Sequence, residues 1–213
     1  MKIGIIGATG KAGGFIMKEA LLRGHDVTAI VRDASKLVEK RAAVMEKNID
    51  ELTAEDLREF DVVVNAFGVP PEKAELHAVA GKSLIDAMKG APGTRLIVVG
   101  GAGSLFVDEA RTTRLIDTPE FPEAFKAIAV GQSQNLSDLE ASEGIKWTFL
   151  SPAAFFDPTG GRTGHYQIGE DSITFNSKGK SYVSYPDYAV ALVDEIEHPR
   201  HLNKRFTVVS EGH

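Results

Sequence analysis

Residues 2–32, KIGIIGATGKAGGFIMKEALLRGHDVTAIVR, hold the order of elements that decides the fold. Lys2 to Ile6 is an apolar run of strand type, and Gly7, Gly10 and Gly13 follow it at a three-residue spacing, GxxGxxG, around Ala8, Thr9, Lys11 and Ala12. Ile16, Met17, Ala20 and Leu21 then recur at helical spacing, and Gly24 is the residue type that closes a helix by turning left-handed. A second apolar strand runs from Asp26 to Val31. Strand, glycine turn, helix and strand in this order predict a βαβ unit.

Glycine lacks a Cβ, so such a turn bends sharply and lets a pyrophosphate approach the backbone, while the helix N-terminus offers unpaired N–H groups and partial positive charge. The segment Gly7, Ala8, Thr9, Gly10, Lys11, Ala12 and Gly13 is therefore predicted to bind a nucleotide phosphate. Lys11 opposes the helix dipole and fits an anion nearby, though solvation at the surface explains it equally well. At the end of the second strand of such a unit, an acid accepts from the ribose 2′-hydroxyl of NAD, whereas an arginine pairs with the 2′-phosphate of NADP. Arg32 at that end favours NADP(H) over NAD(H); Asp33 would be the ribose ligand if the strand ended one residue later.

Composition narrows the remaining classes. A chain of 213 residues can bury about 70% of its unfolded surface in one core, and residues 1–213 are expected to form a single domain. With no cysteine there is no disulfide, thiolate catalysis or cysteine-ligated metal, and no metal site is expected. The net charge of −6 is spread among interspersed acids and bases, which predicts no nucleic-acid face. No signal-like segment precedes the first strand and no apolar run reaches membrane-spanning length, so the expectation is a cytoplasmic protein, monomeric or a small homo-oligomer.

After Arg32 the alternation continues. Asp33 to Lys40 reads as a short polar helix, Arg41 to Lys47 as a weak third strand, and Thr53 to Phe60 as a capped helix. Asp61 to Ala66 is a continuous apolar strand of the kind found in parallel sheets, closing in Asn65, Ala66, Phe67 and Gly68. A helix from Glu72 to Lys89 carries His77, read as a packing or surface histidine; the fifth strand, Thr94 to Val99, ends in Gly100, Gly101, Ala102, Gly103 and Ser104. Leu105 to Pro122 is irregular and predicts a loop over the crevice. A helix from Pro122 to Glu143 and a strand from Ile145 to Leu150 lead into Ser151 and Pro152. Residues 155–185 are predicted to form a substrate-side excursion containing a hairpin from His165 to Tyr182. Ser184 and Asp187 then form a capping-box-like pair before a helix, and Arg205 to Val209 is the final strand.

Four features together carry a family resemblance: the glycine-rich run from Thr9 to Gly14, Asn65 to Gly68, the glycine-rich end of the fifth strand, and the Ser151–Pro152 pair. The chain resembles an atypical short-chain dehydrogenase/reductase of the branch containing NAD(P)H-flavin reductase-like, biliverdin-reductase-B-like and NmrA-like proteins. The resemblance implies a Rossmann-like, doubly wound α/β fold in three αβα layers, with a parallel sheet in the order 3-2-1-4-5-6 and a further strand, and a small C-terminal cap on the substrate side. It also implies cofactor contacts from Asn65, Ala66, Phe67, Gly68, Gly101, Ser151 and Pro152, beside the glycine turn and Arg32.

Typical members reduce carbonyls with a tyrosine and a lysine spaced YxxxK, and this chain has no such pair: Tyr166, Tyr182, Tyr185 and Tyr188 are followed four residues later by Glu170, Pro186, Ala189 and Leu192. The helix where relatives carry it offers Phe125, Lys126 and Gln132. An alkoxide formed from a ketone needs a matched acid, whereas a flavin or quinone takes hydride into a delocalised ring and needs stacking instead. Phe67, Phe155, Phe156, Tyr166 and Tyr182 are candidates for an aromatic platform, or for plain core packing, and Ser104 for a hydroxyl near the acceptor. Two readings follow: an NADPH-dependent reductase using an aromatic small-molecule acceptor such as FMN, FAD or a quinone, or a non-catalytic NADP(H) redox sensor resembling the NmrA-like proteins.

Overall fold

The computed structural model describes residues 1–212. In chain order the elements are β1 (Lys2–Ile6), α1 (Lys11–Leu22), β2 (Asp26–Val31), β3 (Ala43–Glu46), α2 (Ala54–Arg58), β4 (Val62–Asn65), α3 (Leu76–Lys89), β5 (Arg95–Val99), α4 (Glu123–Glu140), β6 (Lys146–Ser151), β7 (Phe155–Asp157), β8 (Gln167–Gly169), β9 (Tyr182–Ser184), α5 (Tyr185–Glu197) and β10 (Lys204–Val209). The main sheet runs β3-β2-β1-β4-β5-β6-β10-β8, parallel throughout except for β8, which lies antiparallel to β10. This is the doubly wound α/β order, with the chain reversing direction of winding between β1 and β4.

The strands are continuous apolar runs because both faces of the sheet are covered. Side chains alternate between faces, so Ile3, Ile5, Val62, Val64, Ile97 and Leu150 pack with α1 and α5 on one side. Ile6, Val63, Leu96, Val98 and Phe149 pack with α2, α3 and α4 on the other. Each fully buried side chain of this size contributes about 1.5–3 kcal/mol. Thr53 caps α2 by accepting from the Asp56 N–H, while the Asp56 carboxylate takes the Thr53 N–H, the reciprocal arrangement its spacing predicts.

Several local expectations are corrected. Asp33 to Lys40 is not a helix but one 3₁₀ turn, Ala34–Lys36, because the Asp33 carboxylate ties up the Ser35 N–H and hydroxyl. α3 starts at Leu76 instead of Glu72, after a separate 3₁₀ turn at Pro71–Lys73 in which proline cannot donate to a continuing helix. The Ser184–Asp187 pair forms only half a box: Ser184 Oγ accepts from the Asp187 N–H, but the Asp187 carboxylate turns away to the N–H groups of Thr163 and Gly164.

There is no hairpin between His165 and Tyr182. β9 instead pairs in parallel with β7, Phe155 beside Tyr182, and β8 crosses to the main sheet to pair with β10. β8 supplies backbone partners to an edge of β10 that would otherwise stay open. Of the segment from Leu105 to Pro122 only the end, Phe121 and Pro122, borders the crevice, and the rest is folded against the body of the protein. Leu105 is fully buried, its carbonyl accepts from the Leu115 N–H, and Asp108 accepts from the N–H groups of Thr112 and Thr113. Phe106 exchanges backbone hydrogen bonds with Asp171 and Ile173, which ties this loop to the connection after β8.

Candidate active site

A single continuous cleft of about 1200 Å³ runs across the carboxyl ends of β1, β2, β4, β5 and β6. Ligand pockets usually enclose about 300–1000 Å³, so this one has room for more than one small molecule.

At one end lies the glycine turn. Gly7 leaves β1 with φ +75°, and a Cβ there would sit 2.5 Å from the Ala66 carbonyl oxygen at the end of β4. Gly13 faces the Gly7 carbonyl too closely for any side chain. These two glycines let α1 start directly against the sheet. Gly10 is different: its φ of −78° and ψ of 172° suit any residue. It caps α1 with no side-chain hydrogen bond, and the first turn contains no acid. The N–H groups of Lys11, Ala12 and Gly13 are too early in the helix to have intrahelical acceptors. Such donors, unopposed by any carboxylate, fit a diphosphate. Thr9, Gly10, Lys11 and Ala12 all line the cleft, whereas Ala8 is buried beneath it.

Arg32 reaches the same cleft from the end of β2, and Asp33 does not. Asp33 is occupied with Ser35, whose hydroxyl and N–H hold its carboxyl below the usual range. Lys47 and Asn48 after β3 complete this end. Lys47 Nζ donates to both carboxylate oxygens of Asp56, and this contact chiefly holds the Asp56 pKa down.

The strand ends supply the middle. Ala66, Phe67 and Gly68 after β4, Gly101 after β5, and Pro152 after β6 line the cleft. Asn65 is buried and acts through its Oδ1, which accepts from the Phe67 N–H and shapes the turn. Ser151 is fully buried with an unpaired hydroxyl and does not reach the cleft.

One wall, on the side of α1 and α5, is aromatic. The rings of Phe156 and Tyr185 stack with centroids 3.8 Å apart and planes 10° from parallel, and both line the cleft. Tyr188 backs Phe156 at 4.8 Å, its hydroxyl donating to the Leu150 carbonyl. Burial raises the pKa of Tyr185, which therefore stays a neutral phenol at physiological pH. Phe155 is exposed at the rim, and Phe121, Phe125, Ile128, His77 and Gln132 close the opposite wall.

Three further sequence candidates, besides Ala8, Gly13, Asn65 and Ser151, do not line the cleft. Ser104 is buried, and its hydroxyl accepts from an Arg205 Nη at 3.0 Å, an arginine 101 residues away that also bonds Asp171. Tyr166 lies on the other side of the sheet edge, donating to Asp194 at 2.6 Å; burial first, then that carboxylate, pushes its pKa up. Tyr182 donates to Asp157 and is pushed up to about 12, by burial first and then by that carboxylate. Tyr185 was not among the candidates. It reaches the cleft through the parallel β7–β9 pairing, for which the sequence has no local signal.

Among the described residues no group of three or more histidine, aspartate or glutamate side chains could hold a metal, and no helix is long and apolar enough to cross a membrane.

The comparisons with known proteins agree with this architecture. The chain is 63% identical to YwnB, an uncharacterized protein of Bacillus subtilis (strain 168), over 212 residues and the whole of both chains. A solved structure from Streptococcus pneumoniae TIGR4, which carries the provisional name of an NADH-flavin reductase, is 43% identical; the match covers 99% of this chain and 100% of that one, with a TM-score of 0.94. A Lactobacillus casei structure is 30% identical over 99% of each chain, with a TM-score of 0.90. An anaerobilin reductase from Escherichia coli O157:H7, at 19% identity, 98% and 97% coverage and a TM-score of 0.73, shares the fold. Residues 7–199, from the glycine turn to the end of α5, match a known family throughout, and the chain belongs to the NAD(P)H-binding family.

Proposed function

We propose that this protein is an NADPH-dependent reductase that passes hydride to a flavin- or quinone-like acceptor. The observation that carries this reading is the cleft itself, which holds both the phosphate-binding donors at the start of α1 and a stacked aromatic pair that borders Phe15 of the same helix. The provisional name of the Streptococcus pneumoniae relative, at 43% identity, supports the same reaction class.

Bound NADPH would supply a hydride, carrying two electrons. The protein's part is to hold and orient. The N–H groups at the start of α1 would hold the diphosphate, and Arg32, with no hydrogen bond of its own among the described residues, would pair with the adenosine 2′-phosphate. Phe156 and Tyr185 offer a flat surface for an aromatic acceptor. No YxxxK pair is present to protonate an alkoxide. A delocalised acceptor does not require one, because its reduced anion is stable enough to take its proton from water.

The test is a titration of purified protein with NADPH and NADH, followed by addition of FMN and then a quinone while nicotinamide absorbance is recorded. Loss of absorbance on adding an acceptor is the expected result. Tight NADPH binding with a flat trace for every acceptor would overturn the reductase reading and favour a redox sensor acting through a partner.

A further inference from the structure

Two polar side chains on the wall opposite the aromatic pair have no role in the function proposed above. His77 rises from the first turn of α3 and Gln132 from the middle of α4, and both line the cleft. Their positions are set by packing. A Cβ on Gly131 would lie 3.1 Å from the His77 Cβ and 2.7 Å from the Ala74 carbonyl oxygen, so the missing side chain lets α3 and α4 meet closely here. The His77 ring meets Phe67 edge-on, centroids 5.7 Å apart and planes at 77°, which fixes its orientation over the end of β4. The Gln132 carboxamide lies directly against Gly101, over the end of β5, where no side chain would leave it space.

Among the described residues neither the imidazole nor the carboxamide makes a hydrogen bond. Half-buried polar groups without protein partners take theirs from water or a ligand. Burial lowers the His77 pKa, so at neutral pH the ring is uncharged and presents one N–H donor. The charged donors that line the cleft are Lys11, Arg32, Lys47 and Lys73, the last of them one turn before His77. A neutral donor suits an oxygen that starts neutral and gains charge only as the ring is reduced.

We propose that His77 and Gln132 orient the acceptor by donating N–H hydrogen bonds to a ring carbonyl oxygen, which makes the acceptor class planar rings bearing carbonyl groups. This rests on the reductase reading. As hydride brings two electrons into the ring, negative charge gathers on the carbonyl oxygen under these donors, and water later supplies the balancing proton. His77 touches the acceptor but is not the proton source.

The experiment compares two planar acceptors with NADPH: menadione, which has ring carbonyls, and methylene blue, which has none. In His77→Phe and Gln132→Leu, the ratio of kcat/KM for menadione to that for methylene blue should fall about tenfold, the worth of a lost hydrogen bond. His77→Gln, which keeps an N–H, should recover part of the ratio. Equal losses on both acceptors, or a drop explained by weaker NADPH binding, would overturn the assignment while leaving the reductase reading intact. If the wild-type protein consumes no NADPH with either acceptor, the reductase reading fails. Riboflavin binding to the NADP⁺ complex, measured by flavin fluorescence, then decides: about tenfold weaker binding in His77→Phe supports the orienting pair, and equal binding removes it.

Discussion

Arg32 stands at the cleft without a hydrogen-bond partner among the described residues, and its neighbour Asp33 is held in a turn by Ser35 away from the cleft, which favours Arg32 as the proposed selector of NADPH. Replacing Arg32 with alanine should weaken NADPH binding far more than NADH binding, by on the order of 1–3 kcal/mol for a charge-assisted contact. Titrations with both nucleotides check this, and equal weakening would remove Arg32 as selector. The glycines of the turn separate in the same manner. Gly10 has ordinary backbone angles, and its Cβ would sit 3.2 Å from the nearest protein atom, the Gly7 oxygen, a tight contact that a small local shift relieves. Gly10→Val should therefore fold yet lose both nucleotides, whereas Gly13→Ala collides with the Gly7 backbone and should lower Tm as well. A thermal melt beside each titration distinguishes the two. Ser104 lies outside the cleft for a physical reason: glycines at a strand end announce close approach, but here Phe149, Gln132 and Ala129 fill the space over Gly100, Gly101 and Gly103, and Ser104 turns inward to Arg205 of β10.

Helix α1 packs along α5, and the seam is bound by charge as well as by apolar contact. Arg23 donates to Glu19, Asp194 and Glu197, and Arg162 donates to both oxygens of Glu19 from the loop before β8. Burial alone would raise the Glu19 pKa, but the hydrogen bonds from Arg162 and Arg23 outweigh it and hold the carboxyl below its ordinary 4.5. A carboxyl depressed in the folded state stabilises the fold fully above its unfolded pKa, and that contribution disappears as pH falls through the folded value. Glu195 and Glu197 are depressed as well, so Tm should hold near neutrality and fall below about pH 4.5. Glu19→Gln should lose about 1–3 kcal/mol at neutral pH and show a shallower acid fall, read from melts across that range. This seam was not legible in the sequence. The apolar face of α5 was, because Ala189, Leu192, Val193 and Ile196 repeat at helical spacing, but two of the partners of Arg23, Asp194 and Glu197, lie more than 170 residues away.

At the scale of the whole molecule, the α/β alternation was readable because each of the first six strands is a short apolar run bounded by turn residues, whereas their order in the sheet was implied by the family resemblance and matches the one observed. The last third was not readable, because β8 and β9 are three-residue strands whose partners, β10 and β7, are chosen by tertiary packing. That pairing also brings Phe156 and Tyr185 together, so the aromatic wall of the cleft was less visible than the glycine turn. Because the cleft draws on five strand ends, nucleotide binding should stabilise the molecule as a unit. At one hundred times Kd, NADPH should add about 2.7 kcal/mol, roughly 5–10 °C in Tm for a chain of this size, with a smaller rise for NADH at equal concentration. The sheet also divides the interior into two apolar layers, and the one tryptophan, Trp147, is buried in the layer of α2, α3 and α4. Its emission is therefore a one-sided reporter: it follows the collapse of that layer and is blind to the loosening of α1 from α5, so circular dichroism superimposed on the fluorescence trace would reveal whether the two halves melt together or in sequence.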